Sequence, residues 1–259
     1  MGINVSGVEV GYDNEVIIQN IDFALNKGEI TTIIGPNGSG KSTILKAMTR
    51  LVKYQKGNIY LDGKGILEYG NKQFARKIGV LPQCHIAPPD FKVKDLVSYG
   101  RLPYQGILKK QSEEDEKIIE WAMKATGVFH FREKSIQDCS GGEAQRVWIA
   151  TVLAQQPEVM FLDEPTTYLD ISHQLEMMKL LKKLNRTSNI GIVMVLHDIN
   201  QALEVSDRII IIKKGEKYAD GSPQEVITSK MMKEVYEVDC EVVWLDGRKS
   251  PILVYKEIE

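Results

Sequence analysis

The sequence predicts an α/β fold whose core is a mainly parallel β-sheet covered by helices. Three continuous apolar segments of strand length predict this core, at residues 30–34, 158–162 and 190–196. Strands that are apolar on both faces are typical of parallel sheets buried between helices. Such a sheet has one edge at which its strands end, and ligands of open α/β sheets bind beyond that edge.

Each apolar segment ends at a glycine or a polar residue. The three residues are Gly35, Asp163 and His197. Because they follow strands of one parallel sheet, we expect them to converge on one ligand site.

The remaining segments predict three regions within a single domain spanning residues 1–259. Residues 5–28 are rich in strand-forming residues and predict an antiparallel β subdomain at the N-terminus. Residues 84–156 predict a mainly helical subdomain inserted into the core. Residues 205–259 predict a C-terminal extension made of a hairpin, a short helix and further strands.

Composition excludes several classes of protein. The chain has 259 residues with 33 Lys and Arg against 35 Asp and Glu, and this balance argues against a nucleic-acid partner. The three cysteines lack paired spacing, which is typical of reduced thiols in a cytosolic protein. No apolar run approaches the ~20 residues of a membrane span, so any membrane association is expected to occur through a partner.

A phosphate-binding loop follows the first core strand, with the sequence GPNGSGKST at residues 35–43. The pattern comprises Gly35, Pro36, Asn37, Gly38, Ser39, Gly40, Lys41, Ser42 and Thr43. Its glycines let backbone N–H groups wrap phosphates, and the helix that follows directs its positive end at the same charge. Lys41 is predicted to reach the β- and γ-phosphates, and Ser42 to offer a hydroxyl to Mg²⁺. The loop therefore predicts a P-loop NTPase core that binds ATP.

An acidic pair follows the second core strand. Asp163 is suited to accept hydrogen bonds from Mg²⁺-bound water, and Glu164 to orient or deprotonate an attacking water. The alternative is a pair of carboxylates that caps a strand before a proline turn. Next to a phosphate loop, the catalytic interpretation is favoured.

Two further polar residues end apolar stretches. His197 follows the third core strand, either as a structural hydrogen-bonding group or as a catalytic group at the nucleotide edge. Gln83 ends a shorter stretch, and its amide could contact Mg²⁺ or the attacking water and so sense the γ-phosphate. The arrival of His197 at the nucleotide edge, followed by Asp198, favours its catalytic role, whereas spacing alone leaves the role of Gln83 open.

A second anion-binding pattern lies about a hundred residues after the phosphate loop. Ser140 and Glu143 have the spacing of a helix capping box, which would explain these two residues structurally. The capping box does not explain Gly141 and Gly142. Two adjacent glycines are unfavourable at a helix start unless the backbone there must come close to another group. A serine and two glycines at a helix N-terminus suit a γ-phosphate. Since the chain's own nucleotide already has a loop, this second site is predicted to serve the ATP of a second copy.

Together these segments resemble the nucleotide-binding subunit of an ABC transporter over essentially the whole chain. The matching motifs are the Walker A loop at 35–43, the Q-loop at Gln83, the signature at Ser140-Gly141-Gly142-Glu143, Walker B at 159–164, the D-loop at Leu169-Asp170 and the switch histidine at His197. The resemblance implies that Asp170 belongs to the nucleotide interface and that Tyr12 stacks on adenine. Without the resemblance, Tyr12 would be an ordinary aromatic at a strand edge.

Finer features are similar to one branch of that family. The segments at 98–106, 163–176 and 222–243 resemble importers of iron–siderophore chelates, haem or cobalamin. One departure is Cys139, which occupies the usual leucine position of the signature, where we expect it to alter packing more than catalysis.

The helix expected after Asp170 has a structural pattern of its own. Apolar residues recur at helical spacing and predict a face that packs on the sheet, with Asp170 near the N-cap. These residues are Ile171, Leu175, Met178, Leu181 and Leu184.

The resemblance implies an ATPase that works as a head-to-tail homodimer beneath separate integral membrane permease subunits. An extracytoplasmic substrate-binding protein would act indirectly, and the ATPase would be peripheral on the cytoplasmic face of the cell membrane. One alternative is a soluble ABC ATPase without transport, such as the accessory ATPase of iron–sulfur cluster assembly; another is an importer for a different metal. An SMC-like DNA protein would need long heptad runs, which the sequence lacks.

Overall fold

The computed structural model describes residues 2–12, 15–88, 90–106, 111–247 and 250–256. Its strands are β1 Ile3–Tyr12, β2 Glu15–Leu25, β3 Ile30–Ile34, β4 Lys56–Leu61, β5 Lys64–Gly65, β6 Ile78–Leu81, β7 Val159–Asp163, β8 Gly191–Val195, β9 Arg208–Lys213, β10 Glu216–Gly221, β11 Cys240–Val243 and β12 Ile252–Tyr255. Its α-helices are α1 Lys41–Met48, α2 Asn71–Lys77, α3 Val93–Ser98, α4 Glu113–Thr126, α5 Gly141–Ala154, α6 Ile171–Ser188, α7 Ile199–Val205, α8 Pro223–Val226 and α9 Ser229–Met231. Turns of 3₁₀-helix span Ile66–Glu68, Tyr99–Tyr104, Phe129–Phe131 and Ile136–Asp138, and a π-helical turn spans Met232–Tyr236.

The chain forms two compact units. The first combines Met1–Glu68 with Gly191–Glu259, and the second comprises Tyr69–Ile190. Among the described residues, neither unit contains a helix with the length and apolar character needed to cross a lipid bilayer.

The core of the first unit is built on strand β3. This strand pairs in parallel with β8 on one side and with β9 on the other, and every residue of β3 and β8 is buried. Because both faces of these strands are covered, the continuous apolar pattern at 30–34 and 190–196 is explained. The parallel sheet predicted from those runs is confirmed.

An antiparallel sheet in the order β2-β1-β4-β5 forms the N-terminal part of the same unit. A tight turn joins β4 to β5 through Asp62 and Gly63, whose φ angles are 52° and 77°. Asp and Gly are residues that adopt positive φ readily, which is why this dipeptide predicts a hairpin turn. After β9 the chain turns back as β10, and β11 pairs with β12, so the predicted C-terminal hairpin and strands are confirmed.

The second unit carries a parallel strand pair and most of the helices. Strand β6 lies beside β7 with Leu81 opposite Leu162, so both strands end at the same level. Between these strands in sequence, the elements formed from residue 93 to residue 154 are α- and 3₁₀-helices. The predicted helical character of this segment is confirmed.

A buried ion pair holds two of these helical elements together. Arg101 Nε, in the 3₁₀ turn, donates to Asp115 Oδ1 in α4 at 2.8 Å, and Arg101 Nη1 donates to the Ala154 carbonyl at 2.9 Å. Burial raises the pKa of Asp115, but the hydrogen bonds from Arg101 and Ser112 lower it by a larger amount. The pKa of Asp115 therefore lies below its usual value. The carboxylate therefore stays charged inside the helical region.

Helix α6 agrees with its predicted apolar face over part of its length. Met178, Leu181 and Leu184 are buried, whereas Ile171 is 77% exposed and Leu175 is 46% exposed. The prediction that these last two residues pack on the sheet is wrong. At about 1.5 Å per residue α6 is ~27 Å long, while the five residues of β7 span only ~17 Å. The first turns of the helix therefore extend beyond the length that a strand of this sheet can cover.

Candidate functional site

The phosphate loop lies in the first unit, between the buried strand β3 and helix α1. Gly40 is the N-cap of α1 with φ 102°, and a Cβ there would lie 2.4 Å from Ile18 Cδ1. At Gly35 a Cβ would lie 2.0 Å from the Ile212 carbonyl oxygen. Both positions therefore require glycine, and the backbone of the loop stays open for N–H groups to face an anion.

Two side chains of the loop fit a bound triphosphate. Lys41 is 5% exposed, and its Nζ donates to the carbonyls of Gly35 and Pro36, at 3.0 Å each. Its ammonium group thus lies at the mouth of the glycine cradle. Ser39 Oγ is buried and has no hydrogen-bond partner among the described residues, so a hydroxyl is available to an anion held by the loop. A glycine cradle, a buried cation and a buried hydroxyl are the groups that a triphosphate needs.

The other loop residues occupy the first turn of the helix. Ser42 and Thr43 follow Lys41 in α1 and are half-buried, next to the helix N-terminus whose dipole favours negative charge. The predicted role of Ser42 towards Mg²⁺ stays a prediction. Asn37 and Gly38 lie at the exposed tip of the loop.

The histidine predicted at the nucleotide edge follows the strand beside the loop. Because β3 and β8 are parallel, with Ile33 opposite Val195, Gly35 and His197 each come two residues after a paired position. His197 is exposed. Asp198 then caps helix α7, accepting a hydrogen bond from the Gln201 backbone N–H at 3.1 Å.

Tyr12 ends strand β1 and is 45% exposed. The predicted stacking of Tyr12 on adenine stays a prediction. Residues 13 and 14, which follow Tyr12, lie outside the described residues.

In the second unit, the ends of β6 and β7 bring Gln83 to Glu164. Gln83 Nε2 donates to Glu164 Oε2 at 2.8 Å, and Thr167 Oγ1 donates to the same oxygen at 3.0 Å. Glu164 has a φ of 53°, an unfavourable backbone conformation for glutamate that often occurs at functional sites. Asp163, the last residue of β7, is 2% exposed. The carboxylate of Glu164 is therefore fixed by two hydrogen bonds and by its backbone.

The signature segment begins helix α5 with the predicted capping box. Ser140 Oγ accepts from the Glu143 backbone N–H at 3.2 Å, while Glu143 Oε2 accepts from the Ser140 N–H at 2.8 Å. The Ser140 N–H, and then Lys134 at 3.3 Å, hold the pKa of Glu143 below its usual value. Capping thus explains Ser140 and Glu143, as the sequence pattern allowed.

The two glycines of the signature differ in their surroundings. Gly142 is buried, and a Cβ there would lie 2.3 Å from Cδ2 of His173. Gly141 is exposed, and within the described part of the chain nothing lies within 4 Å of the place where its Cβ would be. Packing therefore accounts for Gly142, whereas Gly141 lies open at the helix N-terminus.

Asp170 and Cys139 flank these motifs. Asp170 is the N-cap of α6, and its Oδ1 accepts from both the backbone N–H and the Nδ1 of His173, each at 2.8 Å. These bonds, the backbone one first, lower the pKa of Asp170. The Cys139 thiol points at the Ser135 carbonyl, 3.6 Å away, and burial raises its pKa. The raised pKa favours the protonated thiol over the thiolate.

Two residues of the site were missed by the sequence analysis. Thr167 follows Glu164 by three residues, a spacing that allows a side-chain contact across a turn. His173 follows Asp170 by three residues, the spacing of an N-cap bond. Its contact with Gly142 had no sequence signal, because it depends on how α5 and α6 pack.

Comparison with known proteins identifies relatives that cover almost the whole chain. The sequence profile of the family described as ABC transporter matches residues 18–167. The iron(3+)-hydroxamate import ATP-binding protein FhuC of Bacillus subtilis is 45% identical over 94% of this chain and 90% of its own length. The petrobactin import ATP-binding protein FpuC of Bacillus anthracis is 41% identical over 99% of this chain and 93% of its own length.

A solved structure supports the same grouping. The ATP-binding cassette MJ0796, in a dimeric post-hydrolysis state bound to ADP and Pi, has a TM-score of 0.73 to this chain at 30% identity. The match covers 85% of this chain and 98% of that one.

Proposed function

Because the chain belongs to the ABC transporter ATP-binding family, we propose that it hydrolyses ATP in a head-to-tail homodimer to power import of an iron–siderophore chelate. The observation that carries the proposal is the glycine cradle of the phosphate loop. There Lys41 is buried against the loop carbonyls, and the buried Ser39 hydroxyl lacks a partner among the described residues. These groups bind a triphosphate. The import step and the iron chelate come from the names of the relatives.

Each ATP would be held by both copies. The phosphate loop of one copy binds the triphosphate, and the N-terminus of α5 in the other copy faces its γ-phosphate with Ser140 and the open Gly141. A ligand shifts a conformational equilibrium only by its difference in affinity for the two states. ATP would therefore favour the closed dimer, and loss of the γ-phosphate would remove that preference.

The catalytic roles follow from the hydrogen bonds at the end of β7. Glu164 would orient or deprotonate the attacking water, with Gln83 and Thr167 fixing its carboxylate. His197, from its exposed position after β8, would contact the γ-phosphate. General-base assistance is typically worth about 10²–10⁴-fold in rate.

Ser42, Gln83 and Asp163 are the residues proposed to hold Mg²⁺. Their hydroxyl, amide and carboxylate oxygens are the hard ligands that this ion prefers. When bound, Mg²⁺ neutralises charge on the phosphates.

The chain would bind separate integral membrane permease subunits as a peripheral protein on the cytoplasmic face of the membrane. Residues 84–156 would form the inserted helical subdomain that docks there, and 205–259 the C-terminal extension of one ABC domain. An extracytoplasmic protein would deliver the chelate, so the cargo would never touch this chain.

Two measurements test the proposal. Vesicles reconstituted with the cognate permease and binding protein should take up ferric siderophore only with ATP inside, and Glu164→Gln should abolish uptake. On size exclusion, Glu164→Gln should run as a dimer with Mg-ATP and as a monomer with Mg-ADP. Persistent monomers at saturating Mg-ATP would contradict the shared site, while ATP-driven uptake of cobalamin or haem but not ferric siderophore would contradict the proposed cargo.

A further inference from the structure

His173 connects two motifs that the sequence places about thirty residues apart. Its Nδ1 lies 2.8 Å from Oδ1 of Asp170, which also accepts the His173 backbone N–H at 2.8 Å. On its other side the imidazole covers Gly142, where an added Cβ would lie 2.3 Å from Cδ2 and 3.1 Å from Nε2. One side chain therefore contacts both the N-cap of α6 and the first turn of α5.

The chemistry of the contact fixes the orientation of the ring. The backbone and ring hydrogen bonds from His173 hold the pKa of Asp170 below its usual value, so the carboxylate is ionised and can only accept. Nδ1 must then be the donor, and its proton ties the imidazole to Asp170. With that edge held, the opposite edge of the ring packs against Gly142.

Two further contacts hold α5 nearby, one to the segment between β7 and α6 and one to α6 itself. Gln145 Nε2 donates to the Pro165 carbonyl at 2.9 Å, and Arg146 pairs with Glu176. Gln145 and Arg146 lie one turn after Gly142 on α5, so the contacts to α6 and to the segment before it continue beyond the first turn of α5. Among these contacts, that of His173 lies at the end of α5 where the signature begins.

We propose that His173 is a positioning residue that fixes the signature turn, Ser140–Glu143, relative to Asp170. The inference rests on the proposed function, because the turn matters only when it faces the ATP of a second copy. Loss of the imidazole would free the start of α5 from the N-cap of α6. Closing of the dimer on ATP would then weaken, whereas the phosphate loop, formed by residues 35–43, would keep its own affinity for nucleotide.

The experiment compares His173→Ala and His173→Asn with the wild-type protein. His173→Ala removes the whole contact, whereas Asn keeps an N–H donor near the place of Nδ1. Thr187→Ala is the matched control, because this exposed threonine lies at the far end of α6 and bonds its own helix at the Lys183 carbonyl. We expect His173→Ala to lower the hydrolysis rate at saturating ATP about tenfold, an effect of the size that mutations of coupling contacts usually have. His173→Asn should recover much of the rate, and ATP binding at the phosphate loop should be unchanged in both variants.

Dimer formation in the Glu164→Gln background separates the two hypotheses. If Glu164→Gln forms dimers with Mg-ATP, adding His173→Ala should raise the ATP concentration needed for half-dimerisation about tenfold. Equal concentrations would overturn the role of His173 and leave the proposed function intact. If Glu164→Gln itself stays monomeric, the proposed function fails, and the positioning role fails with it.

A double-mutant cycle tests the contact without reference to activity. Gly142→Ala should lower the melting temperature of the wild-type protein, because the new methyl group meets the imidazole. In the His173→Ala background, Gly142→Ala should lower the melting temperature clearly less. An equal loss in both backgrounds would show that the ring does not rest on Gly142 and would overturn the inference.

Discussion

Gln83 and Glu164 are joined by a 2.8 Å hydrogen bond between the Gln83 amide and the Glu164 carboxylate. The register of β6 and β7 explains this contact, since Leu81 lies opposite Leu162 and each partner comes two residues later. Gln83 therefore contacts directly the carboxylate that is proposed to activate water.

Replacing Gln83 by Ala should slow hydrolysis without weakening the binding of ATP measured in the absence of Mg²⁺. A hydrogen bond to a charged group contributes about 1.5–3 kcal/mol, so we expect a loss of at least about tenfold in kcat with little change in nucleotide affinity. The comparison is Thr167→Val, which removes the second bond to the carboxylate and keeps the shape of the side chain. Single-turnover hydrolysis and equilibrium nucleotide binding measure the two effects. Equal kcat in the wild type and Gln83→Ala would rule out an orienting role.

Gly40→Ala should abolish nucleotide binding by distorting the phosphate loop. Gly40 has a φ of 102°, which is unfavourable for alanine, and the new Cβ would lie 2.4 Å from Ile18 Cδ1. The start of α1 must therefore shift. Gly63→Ala is the matched control, because Gly63 also has positive φ but nothing described lies within 4 Å of its Cβ position. We expect the control to lower stability by about 1 kcal/mol through backbone strain alone and to bind ATP normally. Titration with a fluorescent ATP analogue distinguishes the two variants.

Ser140→Arg should abolish turnover and spare nucleotide binding. The serine is exposed at the N-cap of α5, so a large cation there leaves the phosphate loop of the same chain intact. It would block the approach of a second copy's ATP. A mixture of this variant with an excess of Lys41→Ala protein provides a second readout, because a mixed dimer keeps one intact composite site. Recovered hydrolysis supports sharing of the site between copies, and a Ser140→Arg protein that hydrolyses ATP at the wild-type rate contradicts it.

The parts of the fold that could be predicted are those whose cause is local. Burial on both faces of β3 and β8 gives a continuous apolar pattern in the sequence. The capping box at Ser140 can be recognised because Glu143 follows three residues later. The turn at Asp62 and Gly63 is likewise specified by two residues that accept positive φ.

What the sequence did not reveal depends on packing between elements. Apolar periodicity identified one face of α6, but it does not indicate how much of that face is buried. Ile171 and Leu175, at the start of the helix, are exposed. The glycine at 142 could be recognised as unusual, yet the imidazole of His173 that requires it comes from a separate helix. Likewise Gln83 was recognised as a polar strand end, while its bond to Glu164 required the strand register.

Breaking the buried Arg101–Asp115 pair should destabilise the protein strongly. Their side chains are 5% and 10% exposed, and Arg101→Met would leave Asp115 without its buried cationic partner. Removing one partner of a buried pair typically costs about 3–5 kcal/mol, whereas an exposed pair is worth at most about 1 kcal/mol. Lys124→Met is the control, since its pair with Glu120 is largely exposed. Urea unfolding should show the difference, and the double variant Arg101→Met/Asp115→Leu should recover most of the loss.

Acid should remove the contribution of Glu133 to stability. Hydrogen bonds from Lys94 at 2.7 Å and Lys92 at 2.9 Å lower the pKa of Glu133 from 4.5 to about 2. Because the folded-state pKa is the lower one, this stabilisation is complete above about pH 4.5 and is lost progressively as the pH falls towards 2. Glu133→Gln should therefore lower the free energy of unfolding at pH 7, and the difference from wild type should shrink at pH 3. In a Lys92→Met/Lys94→Met background the substitution should have little effect at either pH. A difference that is independent of pH would show that the two lysines do not hold the carboxylate in its charged form.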